Sequence, residues 1–440
     1  MIRLDRERCL RHVREGARPS WRGRVEIVSG VIVEATGVPA AMGELCRIER
    51  GPLGPVEAEV VGFRGSSTLL MPHSDLDGIG PRQVVTAVGQ PFHVRVGDEL
   101  LGRVLDGFGV PIDEGAPLGN ALARRRVKSD APAPLLRTPI LEPLQTGVRA
   151  IDGACTIGRG QRLGIFSGSG VGKSTLLGQI TRGTDADVVV VALIGERGRE
   201  VRAFMDDVLD ESMRAKSVML VATSDRPPIE RFLSPFVAVT VAEHFRDQGL
   251  DVLLVMDSVT RFAAATREIG LAAGEPPTVR GYPPSFFATV PKLVERLGRS
   301  ERGSITGLLT VLLDADDPNE PVADTLRGLL DGHLYLSRDL AHRGHYPAVD
   351  LLASLSRLMP AITSEPHRAR ARELRLLLSA WQQGRDLVEI GAYRPGTNRE
   401  LDRAISFLPR IDAFLRQDVQ ETTTLAETEA LLGVLFQAGT

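Results

Sequence analysis

The sequence predicts an α/β fold: a mostly parallel sheet whose strands alternate with helices, preceded by a small β-barrel and followed by a helical segment. Three observations lead to it. The first is the glycine-rich loop Ser167-Gly-Ser-Gly-Val-Gly-Lys-Ser-Thr175, set between the apolar run Leu163-Gly-Ile-Phe166 and the helical Leu176-Leu-Gly-Gln-Ile180. The second is a series of unbroken apolar runs separated by helical lengths, typified by Val188-Val-Val-Val-Ala-Leu-Ile194. Such runs fit parallel strands buried on both faces. The third is a short alternating texture near the N-terminus, broken by Gly and Pro at regular intervals.

Taken in order, residues 1–20 read as an N-terminal extension and 21–96 as the barrel. There Val25 and Ile27, Val31 to Val33, Val56-Glu-Ala-Glu-Val60 and Phe92-His-Val-Arg-Val96 alternate between turns at Gly30, Gly37, Gly51, Gly54 and Gly62. Pro132, Pro134, Pro139 and Pro143 mark an extended connection. The predicted strands of the α/β domain, residues 97–353, are Leu163–Phe166, Val188–Ile194, Val218–Ala222, Val252–Met256, Ile305–Leu313 and His333–Leu336. With a phosphate loop after an early strand, this is a RecA-like core, and its chemistry belongs at the carboxyl ends of the strands. Residues 354–440 turn helical: Leu374, Leu377, Leu378, Trp381 and Val388 share one face, and Thr397-Asn-Arg-Glu400 and Thr424-Leu-Ala-Glu427 have capping-box spacing.

Composition narrows the function. With 440 residues, 43% hydrophobic and 25% charged, the chain is an ordinary globular protein of two or three domains. A net charge of −3 and 5% aromatics argue against a dedicated nucleic-acid binder. Cys9, Cys46 and Cys155 are odd in number and lack metal-ligand spacing, which suits a reducing compartment. The charged Met1–Leu10 lacks the apolar stretch of a signal peptide, and no apolar run is long enough to cross a membrane. The expected location is the cytoplasm.

The loop is the richest chemical signal. Gly168, Gly170 and Gly172 let backbone N–H groups around Val171 turn onto a polyphosphate, and the following helix adds its positive end. Lys173 reaches the β/γ-phosphates, Ser174 offers a hydroxyl to Mg²⁺, and Thr175 continues the first turn. Ser167 stands where the usual pattern has its first glycine. Asp257 ends the apolar run Asp251-Val-Leu-Leu-Val-Met256, the Walker B placement for a carboxylate that holds Mg²⁺ through water; the alternative is a helix N-cap. Glu196, in Ile194-Gly-Glu-Arg-Gly-Arg-Glu200, either polarises an attacking water or joins a surface charge cluster with Arg197, Arg199 and Glu200. Arg357, in a Ser-x-Ser-Arg loop, is not distinguishable by spacing from any other surface arginine.

Beyond these residues, the chain resembles the flagellar and type III secretion export ATPases, relatives of the catalytic head of rotary ATP synthases. The motifs that carry the likeness are Thr146-Gly-Val-Arg-Ala-Ile-Asp152, Gly158-Arg-Gly-Gln-Arg162, the phosphate loop, Gly195-Glu-Arg-Gly-Arg-Glu200 and Asp257-Ser-Val-Thr-Arg261. Further on come Gly274-Glu-Pro-Pro-Thr-Val-Arg-Gly-Tyr-Pro-Pro-Ser285, Asp331-Gly-His-Leu-Tyr-Leu-Ser-Arg338 and Tyr346-Pro-Ala-Val-Asp350. The resemblance implies that Glu196 is the catalytic carboxylate, Arg197 a supporting charge, Tyr346 the ring that stacks on adenine and Arg357 an arginine finger reaching the neighbouring subunit's ATP. The phenylalanines that complete the adenine pocket in the ATP synthase catalytic subunit have no clear match near Val419 and Leu425.

The same resemblance implies a homohexameric Mg-ATP hydrolase at the cytoplasmic face of a protein-export apparatus. Its expected partners are a stator-like regulator on the N-terminal extension, a central stalk-like coiled coil, chaperone–substrate complexes and a membrane export gate. Gly-Ser-Gly-Val-Gly-Lys and Gly158-Arg-Gly-Gln-Arg162 look more like the flagellar branch than the injectisome branch. A Rho-type RNA translocase is the rival enzyme reading, opposed by the acidic balance and few aromatics. A non-catalytic ring subunit is the other rival, opposed by Glu196.

Overall fold

The computed structural model describes residues 22–119, 122–208, 210–314, 317 and 320–437. The N-terminal extension, Trp21 and Cys9 lie outside them. The chain divides into two compact units, one of which comprises the N-terminal residues through His93 together with Pro227–Ile229 and Arg267–Pro276.

In that unit β1 (Arg22–Ser29), β2 (Ile32–Thr36), β3 (Glu44–Ile48), β4 (Val56–Arg64), β5 (Ser67–Pro72) and β6 (Val84–Pro91) close into a barrel in the order β1-β2-β5-β4-β3-β6. Alternation turns Val25, Val33, Ala35, Cys46, Ile48, Ala58, Val60 and Leu70 into its core. Ile27 departs from the predicted alternation. A register irregularity against β2 falls between Val25 and Ile27, and Ile27 emerges 51% exposed. The predicted last strand also differs: β7 (His93–Val96) pairs with β9 (Ala123–Arg126) in a separate two-stranded sheet, so the barrel closes at Pro91.

The second unit is built on one large sheet. Its strands are β8 (Val104–Asp106), β12 (Arg162–Ser167), β13 (Val188–Ile194), β14 (Ser217–Ala222), β15 (Asp251–Asp257), β17 (Ser304–Leu312), β18 (Gly332–Leu336) and β19 (Val349–Ser356), with β16 (Gly298–Arg299) paired to β17. A further pair, β10 (Pro143–Leu144) and β11 (Ile157–Gly158), stands apart. The order is β19-β18-β12-β17-β15-β13-β14-β8. From β18 to β8 all pairings are parallel, and β19 runs antiparallel to β18. Every residue of β13 is buried, as expected of a strand covered on both faces. The six predicted strands are present; β8 and β19 add two edges that the apolar pattern did not disclose.

Three helices, Glu365–Glu389, Arg399–Leu415 and Leu425–Leu435, follow in the same unit. Ser364 caps the first through the His367 N–H, and Thr424 with Glu427 forms the expected capping box on the third. The middle helix starts one residue later than its predicted cap: Asn398, not Thr397, accepts the N–H groups of Glu400 and Leu401. Buried Arg149 ties this region to the core, its Nε donating to the Phe414 carbonyl at 2.8 Å and its N–H to Gln417 Oε1 at 2.9 Å.

Cys46 and Cys155 are buried and free. Among the described residues no helix is long and apolar enough to cross a membrane.

Gly147 shows how tightly the loop before the sheet is packed. It has φ +75°, and a Cβ there would sit 2.7 Å from Gly183 Cα. Its N–H donates to Asp152 Oδ2 at 3.0 Å and its carbonyl accepts from Gln417 Nε2 at 2.7 Å. Gly147→Ala therefore lowers unfolding free energy by about 2 kcal/mol or more, through left-handed strain plus a backbone clash. Denaturant unfolding checks this, and an unchanged midpoint would show that the loop relaxes without cost.

Candidate functional site

Strand direction brings the chemistry together. Because β12, β17, β15 and β13 are adjacent and parallel, Ser167, Leu312, Asp257 and Ile194 all finish at one edge of the sheet. The glycine-rich loop leaves that edge from β12 and enters the helix Lys173–Gly183, whose N-cap is Gly172 at φ +96°. No side chain caps this helix, so its first-turn N–H groups face outward. A Cβ at Gly170 would meet nothing within 4 Å, which leaves the loop an open cradle. Val171 is buried beneath it, while Ser174 and Thr175 are exposed on the first turn. The loop thus has free donors, space and the positive end of a helix, the requirements of a bound polyphosphate. The Ser167 hydroxyl at its base is buried and has no hydrogen-bond partner among the described residues.

Lys173 and Asp257 are both buried, and Lys173 Nζ is hydrogen-bonded to Asp257 Oδ1. Glu196 Oε1 lies 3.8 Å from the same ammonium. The Thr310 hydroxyl, on β17, donates to Asp257 Oδ1 at 2.7 Å. Asp257 Oδ2 makes no hydrogen bond among the described residues, and this carboxylate and the exposed Ser174 hydroxyl, both at the same edge of the sheet, are the oxygen donors that suit a divalent ion that keeps much of its water. Burial pushes the Glu196 carboxyl up to about 7, helped by the hydrogen bond its protonated form donates to Glu200 and by the nearby Asp257 charge, and opposed by Lys173. The proton in this acidic pair resides on Glu196, because the Glu200 carboxyl is held below its usual range, first by that bond. Gly195, at φ +67°, turns the chain here: a Cβ would strike the Arg261 side chain at 2.8 Å.

The remaining predicted residues are distributed unequally. Gly168 is buried at the strand end and Gly172 lies under the Tyr346 ring, since a Cβ on Gly172 would be 3.3 Å from Tyr346 Cε1. Tyr346 itself is 41% exposed and its carbonyl accepts from the Gln417 N–H at 2.9 Å. Arg197 is turned to solvent, 4.0 Å from Glu200, and does not join the Lys173 cluster. Arg357 is exposed beyond the end of β19, its N–H bonded to the Asp331 carbonyl at 3.0 Å. Val419 is exposed with its carbonyl held by Arg182, and the Leu425 N–H donates to Gln145.

Arg357 stands apart from the loop of its own chain. Leu336 pairs with Val349 near the loop, whereas Gly332 pairs with Ser356 at the far edge. Because the ends of β19 pair with the ends of the five-residue β18, the backbone at Arg357 lies about 13 Å along the sheet from the edge that carries the loop.

Sequence reasoning missed Thr310, Glu200 as the partner of Glu196, and Arg338, whose Nη1 donates to the Ser169 carbonyl of the loop at 3.3 Å. Only Thr310 left a trace, as a hydroxyl inside the apolar run of β17.

Comparison with known proteins matches residues 147–356 to the nucleotide-binding domain of the ATP synthase alpha/beta family and residues 363–433 to the T3SS EscN ATPase C-terminal domain. The flagellum-specific ATP synthase of Bacillus subtilis is 48% identical over 93% of this chain and 94% of its own length. The SPI-2 type 3 secretion system ATPase of Salmonella typhimurium is 50% identical over 91% of each. The structure of the assembled ATPase EscN, from the type III secretion system of enteropathogenic E. coli, superposes with a TM-score of 0.90 at 43% identity, covering 94% of this chain and 99% of EscN. These identities do not separate the flagellar branch from the secretion branch. The cradle, the buried Lys173–Asp257 pair and the full-length similarity place the chain in one family: it is a flagellar/type III secretion ATPase, with the nucleotide-binding domain of the ATP synthase alpha/beta family.

Proposed function

We propose that this chain hydrolyses Mg-ATP as a homohexameric ring and so energises protein export through a type III apparatus. The observation that carries the reading is the cluster of Lys173, Asp257 and Glu196 at the carboxyl edge of the sheet, with Arg357 at the opposite edge. The loop amides between Gly168 and Thr175 bind the phosphates. Lys173 exchanges Asp257 for the β/γ-phosphate oxygens and offsets charge that develops there. Ser174 and Asp257 would hold Mg²⁺, which would supply positive charge against the phosphates. Glu196 orients the attacking water and accepts its proton. Tyr346, set over Gly172, stacks on the base.

Set at the opposite edge of the sheet from its own loop, Arg357 serves a neighbouring copy, which makes a ring part of the active site. The family's EscN is known both assembled and in complex with its central stalk EscO. By that likeness a coiled-coil stalk is the expected partner in the ring's centre. A stator-like regulator, chaperone–substrate complexes and a membrane gate complete the assembly at the cytoplasmic face of the inner membrane. The Gly-Ser-Gly-Val-Gly-Lys loop favours flagellar use.

Two measurements test the chemistry within one chain. Glu196→Gln keeps ATP binding but lowers turnover by ~10²-fold or more, while Lys173→Ala loses hydrolysis with the fold intact. Equal rates in Glu196→Gln and wild type would return Glu196 to the surface cluster.

The raised Glu196 pKa sets a pH profile. A base must be ionised, so kcat/KM for Mg-ATP rises with pH through about 7 in wild type. The residual activity of Glu196→Gln lacks that inflection; an identical profile in both proteins would assign the titration elsewhere.

The ring is tested by complementation. Arg357→Ala binds ATP yet turns over ~10³-fold more slowly even when assembled. Mixing it with Lys173→Ala restores partial activity, because some interfaces then join an intact Lys173 to an intact Arg357. Rings shown to be mixed yet still inactive would rule out a finger acting between subunits.

A further inference from the structure

We infer that Thr310 is a positioning residue for the Asp257 carboxylate, fixing one of its oxygens so that the other stays turned to the divalent cation. The inference deepens the reading of Asp257 above and rests on it. β17 lies between β12, which launches the phosphate loop, and β15, which ends in Asp257. Thr310 pairs with Ile165 on one side, and on the other it is one residue beyond the Leu309–Met256 pair, opposite Asp257. Its side chain is fully buried, and its hydroxyl is 2.7 Å from Asp257 Oδ1.

Valine would fill the same volume and suit a buried strand equally well. A hydroxyl in that position costs free energy unless it is hydrogen-bonded, so the bond to Asp257 is what makes threonine tolerable there. Oδ1 is engaged twice, by Thr310 and by Lys173. When Lys173 turns to the phosphates, Asp257 loses its counter-charge and one of its two donors. Thr310 then remains on Oδ1. It opposes rotation of the carboxylate, and Oδ2 keeps its aim. Loss of the hydroxyl leaves a buried carboxylate free to turn, and the penalty appears in the affinity for the cation and not in that for the nucleotide alone.

The experiment titrates Mg²⁺ against full-length protein holding a fluorescent, non-hydrolysable ATP analogue, with nucleotide affinity also measured in EDTA. Thermal melting in EDTA without nucleotide reads folding separately. Thr310→Val is expected to need about tenfold more Mg²⁺ for half-maximal binding, with its affinity in EDTA unchanged. Thr310→Ser, which keeps the hydroxyl, stays near wild type. If Thr310→Val does not fold, Thr310→Ala takes its place and must show the same shift. A wild-type Mg²⁺ requirement in the hydroxyl-free variant overturns the inference. So does a shift in Thr310→Ser as large as in Thr310→Val, or an equal loss of affinity in EDTA, since either points to packing. Asp257→Asn separates the two claims. If its own Mg²⁺ requirement is unchanged, the reading of Asp257 fails; if it shifts while Thr310→Val does not, only the role of Thr310 fails.

Discussion

Lys173 and Asp257 are buried together, and neither charge is tolerable in a protein interior without the other and a set of hydrogen bonds. Much of the surrounding architecture answers that requirement. Adjacent parallel strands put the ends of β12 and β15 at one edge with β17 between them, where Thr310 supplies a neutral donor. Glu196, brought in by the turn at Gly195, adds a carboxyl that burial and Glu200 leave protonated well above the usual range. A neutral carboxyl beside an existing ion pair avoids a second uncompensated negative charge. Under the proposed function, bound polyphosphate would draw Lys173 from Asp257, and a divalent cation would replace the positive charge that Asp257 loses. On that reading the pocket would exchange one balanced arrangement for another, the electrostatic condition for binding substrate and metal together.

The direction of β19 places Tyr346 and Arg357 at opposite edges of the sheet. This strand begins beside the Tyr346–Ala348 segment near the loop and ends at Arg357 on the far side. Were β19 parallel like its neighbours, both residues could not flank the sheet in this way. Under the proposed roles of Tyr346 and Arg357, a site that takes its ring from one end of a strand and its finger from the other end of a second copy's strand would be complete only in a closed, head-to-tail ring. Such an interface is heterologous, so each chain both receives and donates.

Legibility from sequence followed burial. Strands covered on both faces, such as β13 and β15, consist of apolar residues alone or nearly so and declare themselves. β19 does not: Leu352 and Leu355 are exposed while Ser354 and Ser356 are buried, so apolar residues do not mark its inner face. β8 is only three residues long at the opposite edge. In the barrel, a register irregularity displaced Ile27 from the face that strict alternation assigned it, an event set by pairing with β2 and not by side-chain type. The site divides in the same manner. The glycine-rich loop constrains its own backbone, and Lys173, Ser174 and Asp257 are legible from local spacing. Thr310 and Glu200 acquire meaning only through neighbours distant in sequence or one helical turn away. The position of Arg357 depends on strand direction, which no local pattern encodes.

The helix that follows the loop is also bonded to the segment that connects the C-terminal helices. On the helix that the loop opens, Gln179 donates to the carbonyls of Asp418 and Glu421, at 3.1 Å and 3.2 Å, and Arg182 to that of Val419 at 2.6 Å. Gln417 reaches the Tyr346 and Gly147 backbones from the same segment, and Arg149 holds the helix end that precedes it. Segment 417–423 thus lies between the helix that follows the glycine-rich loop, Tyr346 and the helices that follow the sheet. Backbone carbonyls held by side chains of the nucleotide-binding helix cannot stay in place if that helix shifts, because these bonds tolerate only a few tenths of an ångström. The helix that opens from the loop is thus joined by hydrogen bonds between identified atoms to the segment that leads into the last helix.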